Sequence, residues 1–409
     1  MAKPKLALIP ASQGSELFSV LPSSGVGDFD FTRSGSATRI NSQGLIETVG
    51  NGVSRLNYPM IDGKVVGCPH HILEPQSTNL ITHSSELTNS SWVKTNTGTA
   101  SAPSITSNYS ISPDGTQNAD RVIFNLNGGT ANGDISQVSV TIGSVSSASY
   151  TNSVYIKSNT ANNYDLVVTD PSGGHIVKNI STEWQRFDNP RENVTNASFR
   201  IRLRGDEGTS DYADVSIWGA QLEQQLFATS LINTSGSATT RNAETCTGAG
   251  DAATFNDSEG VLMANVKYFT ETDSFNRSIT ISNNTINNRL QITLLANGEL
   301  LVLYQDGSGI QTIQTTNKPT QFNKVALSYG SNSLRFYLNG IEIENVLGNF
   351  SSMNSLKTLR LDNTISEDFY GSTKEIAYYD TSLTDLELET LTSWTSFSDM
   401  ANGQQYSII

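Results

Sequence analysis

The stretch SFRIRLRGDEGTSDYADVSIWGAQLEQ, residues 198–224, decides the fold. Its first part sets Phe199, Ile201 and Leu203 between Ser198, Arg200, Arg202 and Arg204. A period of two puts alternate side chains on opposite faces of a strand. GDEG then reads as a turn, and DVSIWGAQLEQ as a second strand. The same grammar continues upstream through RVIFNL (121–126), ISQVSVTI (135–142), SYTNSVYIKS (149–158), YDLVVTD (164–170), HIVKNI (175–180) and EWQRFD (183–188). Eight or so short strands separated by Asn-Gly-Gly, Pro-Ser-Gly-Gly and Gly-Asp-Glu-Gly indicate an antiparallel sandwich of jelly-roll type.

Downstream, from about residue 255 to 397, the pattern repeats. VLMANVKYF, RLQITLLA, ELLVLYQD, NKVALSYG, SLRFYLNG and TKEIAYYD alternate cleanly, and ANGEL, YGSNS and LNGIE supply hairpin turns. One helix follows, where Thr384 caps DLELETLTSW and Glu387 takes the capping-box position. Residues 1–82 read differently, as an irregular segment whose turn residues stand too close together for a helix. Such a segment gains its burial against a neighbouring chain or the next domain. The expected organisation is an irregular anchoring or assembly segment (1–82), a jelly roll (83–246), a second sandwich (247–397) and a tail (398–409). A short echo, SGSATR at 34–39 and SGSATTR at 235–241, flanks the jelly roll.

Composition agrees with an all-β chain of more than one domain. With 409 residues, 36% hydrophobic and 16% charged, and 32 glycines, the polarity comes from Ser, Thr, Asn and Gln rather than from helix formers. The net charge of -14 opposes nucleic acid and anionic membranes as partners. No apolar run approaches the roughly 20 residues of a membrane span. The opening MAKPKLALIPASQGSELFSV, interrupted by Pro10, is a poor signal peptide, so synthesis in the cytosol is expected. Cys68 and Cys246 lack CxxC spacing and are read as buried free thiols in preference to a disulfide.

Three further stretches, FDFTRSGSATRINSQGLIE (29–47), LEPQSTNLITHSSELTNSSW (73–92) and SPDGTQNADRV (112–122), resemble a block found in tailed-phage structural proteins. There the block leads into a carbohydrate-binding-module-like jelly roll that closes with a pattern similar to VSIWGAQLEQ and FATSLINTSGSATTRNAETC. FNKVALSYGSNSLRFYLNG, LRLDN and GSTKEIAYYDTSLTDLELETLTS resemble the concanavalin-A-like lectin/laminin-G family. The resemblance implies a virion surface protein, such as a tail fibre or head fibre, made in the host cytoplasm. It also implies a homotrimer, other virion proteins as partners, and attachment to host or environmental glycans. A purely structural decoration protein is the alternative.

Catalysis finds no support. Glycoside hydrolysis needs two carboxylates held a few ångströms apart. Glu342 and Glu344 in IEIENV share a strand face, but one that reads as solvated, while the adjacent Glu367 and Asp368 read as loop residues. His70, His71, His83 and His175 form no HExxH or triad, and no GxSxG elbow is present. The protein is therefore expected not to be an enzyme and to need no cofactor. Trp184 and Trp218 are assigned to the core, and Trp92 to packing across the end of the jelly roll. Sugar binding is assigned to loop residues Tyr109, Asp306, Asp362, Asn363 and Tyr370. Ca²⁺ at Asp362 and Asn363 is the one metal considered, far short of the six or more oxygen ligands such an ion takes.

Overall fold

A computed structural model describes residues 3–13, 16–61, 63–270, 275–316, 321–364 and 366–394. The expected tail, 398–409, lies outside them. The described chain is all-β, with one helix at Asp385–Thr392. That helix is capped as its sequence predicts: Thr384 accepts from the Glu387 amide, and the Glu387 carboxylate reaches back to the cap.

The stretch that decided the fold forms the end of one long strand, Gln185–Arg204, and all of another, Tyr212–Glu223. Ile135–Ser158 and Gln185–Arg204 pair antiparallel along most of their length, with register shifts around residues 141–150. Those irregularities let one strand serve both leaves of a sandwich. The first half of Ile135–Ser158 pairs with Val93–Thr97, and its second half with Tyr212–Glu223. Between the leaves lie Val122, Phe124, Val154, Phe199, Ile201 and Leu203, all fully buried. Trp92 closes one end of this core edge-on to Phe199 and donates its indole N–H to the His83 carbonyl, as expected of it.

A second sandwich is built from a nine-stranded and a five-stranded sheet. Gly260–Tyr268, Asn323–Tyr329, Ser333–Leu338 and Gly371–Tyr379 form the middle of the larger sheet. Asn288–Leu294 is central to the smaller one, and Leu262, Val302, Leu327 and Phe336 fill the space between. Ile341–Leu347 lies at the sheet's edge, with Glu342 and Glu344 exposed, the solvated face expected of them.

Residues 1–82 supply short strands, most of two to four residues; Leu6–Gln13, Glu16–Leu21, Arg55–Asn57 and His70–Leu73 join the larger sheet of the second sandwich, and the others form two-stranded sheets. Leu6–Gln13 pairs with Gly371–Tyr379 through Leu6↔Tyr378, Ala7↔Ala377 and Leu8↔Ile376. His70–Leu73 continues along the same edge through Thr373↔His71 and Gly371↔Leu73. An N-terminal strand thus pairs with a strand about 370 residues downstream. Of the two sources of burial expected for this segment, a neighbouring chain or another domain, the structure shows the second, in the sandwich formed by the C-terminal part of the chain. Cys68 and Cys246 are both free; only Cys246 is buried, whereas Cys68 is exposed, contrary to expectation.

Where these parts meet, charged side chains are buried together. Arg55, with no exposed side-chain surface, donates Nε to Glu244 Oε1 (2.8 Å) and Nη2 to Glu74 Oε2 (2.8 Å) and to Glu244 Oε2. Arg33 Nη1 meets Glu244 Oε1 at 2.7 Å, and Arg241 Nη2 lies 3.5 Å from Glu74 Oε2. Burial disfavours the charge on Arg55, but the two carboxylates outweigh it and raise its pKa. Burial likewise opposes ionisation of Glu74, and Arg55 and Arg241 overcome it, holding that carboxyl down to about 2. Removing one member of such a cluster strands its partners without compensation. Glu244→Gln is expected to cost about 3–5 kcal/mol. Urea unfolding should show it as a lower midpoint; an unchanged midpoint would remove this cluster from the account of the fold.

Candidate ligand cleft

The network holds a hairpin in place. Ala37–Ile40 and Ile46–Val49 pair antiparallel. Their turn is fixed by Asn41, whose Oδ1 accepts from the Gln43 and Leu45 amides. Gly44 takes φ +79 in this turn, a left-handed conformation costly for residues with a Cβ. Arg33 donates to the Gly35 and Gly50 carbonyls, and Arg55 to that of Thr38, so the cluster clamps both ends of the hairpin. The hairpin then leans on the first sandwich: Thr38 Oγ1 donates to the Leu231 carbonyl (2.7 Å), and the Ile46 amide to that of Pro113 (2.9 Å).

Between hairpin and sandwich runs a cleft of about 980 Å³, walled by Ile40, Leu45 and Met60 on one side and Tyr155, Lys157 and Trp184 on the other. Tyr155 and Arg186 are cross-strand partners, and Trp184 stands just before the Gln185–Arg204 strand. Trp184 is not core, contrary to the sequence expectation. It is half-buried, its indole N–H tied to the Ile111 carbonyl at 3.0 Å and the Lys157 ammonium 5.3 Å from its ring centre. Trp218, by contrast, is 1% exposed and packs 5.7 Å from Tyr155 beneath the cleft, as expected. A local signal separates them that the core assignment of both passed over: Trp184 stands in the polar stretch Ser181–Gln185, Trp218 among Val215, Ile217 and Ala220.

The five residues chosen from the sequence do not converge. Tyr109 lies in the Ser101–Ile111 strand, not in a loop, its ring 4.8 Å from the Arg121 guanidinium. Asp306 ends another strand and spends Oδ1 on Ser308 and the Gly309 amide, beside a shallow hollow with Tyr304 and Gly348. Both oxygens of Asp362 are taken by Arg360 at 2.8 Å, and Asn363 caps the turn at Ser366 and Glu367. Tyr370 donates to Asp368 at 3.1 Å and lines a cleft of about 680 Å³ between the two sandwiches, with Arg277, Phe275 and Gln225. Glu367 ties Asn276 and Ser278 together. Among the described residues no three His, Cys, Asp or Glu side chains gather as a metal site.

His70 and His71 are buried where the N-terminal segment meets the second sandwich. Burial, with Lys267 and Lys374 nearby, pushes His70 down to about 3; burial, then Arg55, does the same to His71.

No protein-family model matches the chain, and no curated protein does. Among solved structures, the carbohydrate-binding module CBM40 of the Ruminococcus gnavus intramolecular trans-sialidase, bound to α2,3 sialyllactose, is similar over 34% of this chain and 84% of its own. Identity there is 17%, with a TM-score of 0.29. Domain 4 of a Geobacillus stearothermophilus arabinanase, in complex with arabinotriose, matches over 37% and 73% at 19% identity and TM-score 0.31. The botulinum neurotoxin type G receptor-binding domain matches over 36% and 39% at 11% identity and TM-score 0.29. Superpositions this partial carry no argument about a ligand, and the cleft stands on its own geometry.

The two histidines predict an acid response. Between the unfolded value, about 6.5, and the folded value the unfolded chain takes up protons that the folded chain refuses. Stability should therefore fall as pH drops below about 6.5, with a slope of at most about 2.7 kcal/mol per pH unit for two protons. Urea midpoints measured from pH 7.5 to 5.5 should decline, and decline less in His71→Asn. A flat profile would mean that the histidines are protonated in the fold.

Proposed function

We propose that the protein is a non-catalytic glycan-binding protein and that the cleft between the 37–49 hairpin and the first sandwich is where the sugar lies. The observation that carries this is Trp184. An aromatic face at the wall of an open cleft can stack on a pyranose ring, while the surrounding Gln43, Ser112, Thr182, Glu183 and Gln185 offer hydrogen-bonding partners for hydroxyls. Glu183 is the one carboxylate among the described residues lining it, whereas glycoside hydrolysis needs two flanking the bond. Binding without cleavage is the reading that fits. The setting inferred for it, the surface of a phage particle with attachment to host glycans, rests on the sequence resemblance.

A structural role within an assembly is the second reading, favoured by a different observation. Phe18 and Val20, 40% and 45% exposed, stand on Glu16–Leu21 at the end of the nine-stranded sheet, close to the exposed Ile9 of the neighbouring strand. Apolar side chains on a sheet edge are a ready contact for another chain. The two readings are compatible in one trimeric appendage.

Trp184→Ala is expected to lower glycan retention on an array at least tenfold in a protein that still folds, its melting temperature reduced by the lost Ile111 hydrogen bond and packing. Retention equal to wild type would move the site elsewhere. Light scattering should give three times the chain mass, and Phe18→Ser with Val20→Ser should lower it. A monomeric wild-type protein would leave the edge strand for other partners.

A further inference from the structure

At its inner end the cleft shares Ile40, Ile46, Met60, Tyr155 and Arg186 with a smaller chamber of about 300 Å³, which reaches the junction of the N-terminal segment with both sandwiches. Hydrogen bonds fix which atoms of this chamber lack partners. The Ile40 amide donates to Asn57 Oδ1 at 2.8 Å, which orients the Asn57 amide group. Asn57 Nδ2, a donor, is then the atom 3.4 Å from His70 Nε2, so Nε2 is the acceptor. A neutral imidazole that accepts at Nε2 carries its proton on Nδ1. His70 lines the chamber, is 7% exposed, and its Nδ1 is buried with no partner in the protein.

Arg186 presents a second case. Its Nη2 donates to Ser153 Oγ at 3.0 Å and its guanidinium lies 5.4 Å from the Tyr155 ring centre, yet Nε is buried without an acceptor. Lys267 adds a further positive charge to the lining. Glu74 is the one carboxylate among the described lining residues. Its oxygens are occupied by Arg55 Nη2 and by the amide and hydroxyl of Ser230. Arg39 is paired with Glu47 at 2.7 Å. The chamber thus offers N–H donors and positive charge while its one carboxylate is already engaged, in a chain whose net charge is -14. Buried donors left unmade are costly, and what completes them is an acceptor.

From this juxtaposition we infer that the cleft selects acidic glycans, the sugar's carboxylate entering the chamber to accept from Arg186 and His70. The inference rests on the cleft being the glycan site. A guanidinium and a carboxylate make charge-assisted hydrogen bonds about twice as strong as neutral ones, which gives discrimination against an otherwise identical neutral sugar.

The test is an array printed with neutral oligosaccharides and their uronate-containing counterparts, probed with the full chain, Arg186→Gln and Trp184→Ala. Melting temperature confirms that each variant is folded, and His70→Gln serves as a second probe should Arg186→Gln fail to fold. The expected result is retention of the uronate-containing members at least tenfold over the neutral ones. That preference should be lost in Arg186→Gln or His70→Gln, while Trp184→Ala weakens both classes alike. Equal retention of neutral and acidic members by the wild type would overturn the inference, with water completing the chamber, and leave the glycan reading standing. An acidic preference that survives in Arg186→Gln and His70→Gln would also overturn it. No retention of either class would overturn both.

Discussion

Arg55 is the side chain on which the arrangement depends. It is fully buried and its donors reach Glu74, Glu244, Ser230 and the Thr38 carbonyl, groups separated by up to 206 positions in the sequence (38 to 244). A guanidinium has five donors in a planar fork and no acceptor, so it can join several carboxylates and carbonyls only where they converge on one plane. That requirement brings together the hairpin, the strand leading to Glu74 and the return segment carrying Glu244. Arg33 reinforces the same carboxylate from the hairpin side. Hydrophobic burial fills each sandwich and reaches the hairpin through Ile46 against Trp218 and Leu231; the charged cluster adds the directional contacts that set how these parts meet.

The cleft follows from that arrangement. One wall, with Ile40 and Leu45, belongs to a hairpin too small to hold a shape alone. The other, with Tyr155 and Trp184, belongs to a sheet whose opposite face is a filled core. A ligand site between a clamped hairpin and a sheet is open to solvent yet positioned by buried interactions, the usual condition for orienting a few polar groups accurately.

The sheets were legible in the sequence because their signal is local. Phe199, Ile201 and Leu203 alternate, and Thr384 and Glu387 cap a helix within four residues of each other. The site was not, because its signal is long-range. Nothing near Trp184 says that Ile40 and Leu45 will stand opposite it, and a tryptophan in a strand-rich region is more often core, as Trp218 is. Tyr109 and Asp362 looked like ligand residues because tyrosine and aspartate beside turns do so generally; in the fold one is taken up by Arg121 and the other by Arg360. The stretches carrying the family resemblance contain Arg33, Glu74, Arg241 and Glu244. Their shared task here is the buried cluster.

The most direct test of the central claim, that the clamped hairpin and the first sandwich together form the binding site, is a crystal structure of the full chain soaked with a glycan it retains. The account predicts sugar density against the Trp184 ring, between Leu45 and Lys157. Density confined to the Tyr109 strand, to the Asp306 hollow or to the Tyr370 cleft would contradict it.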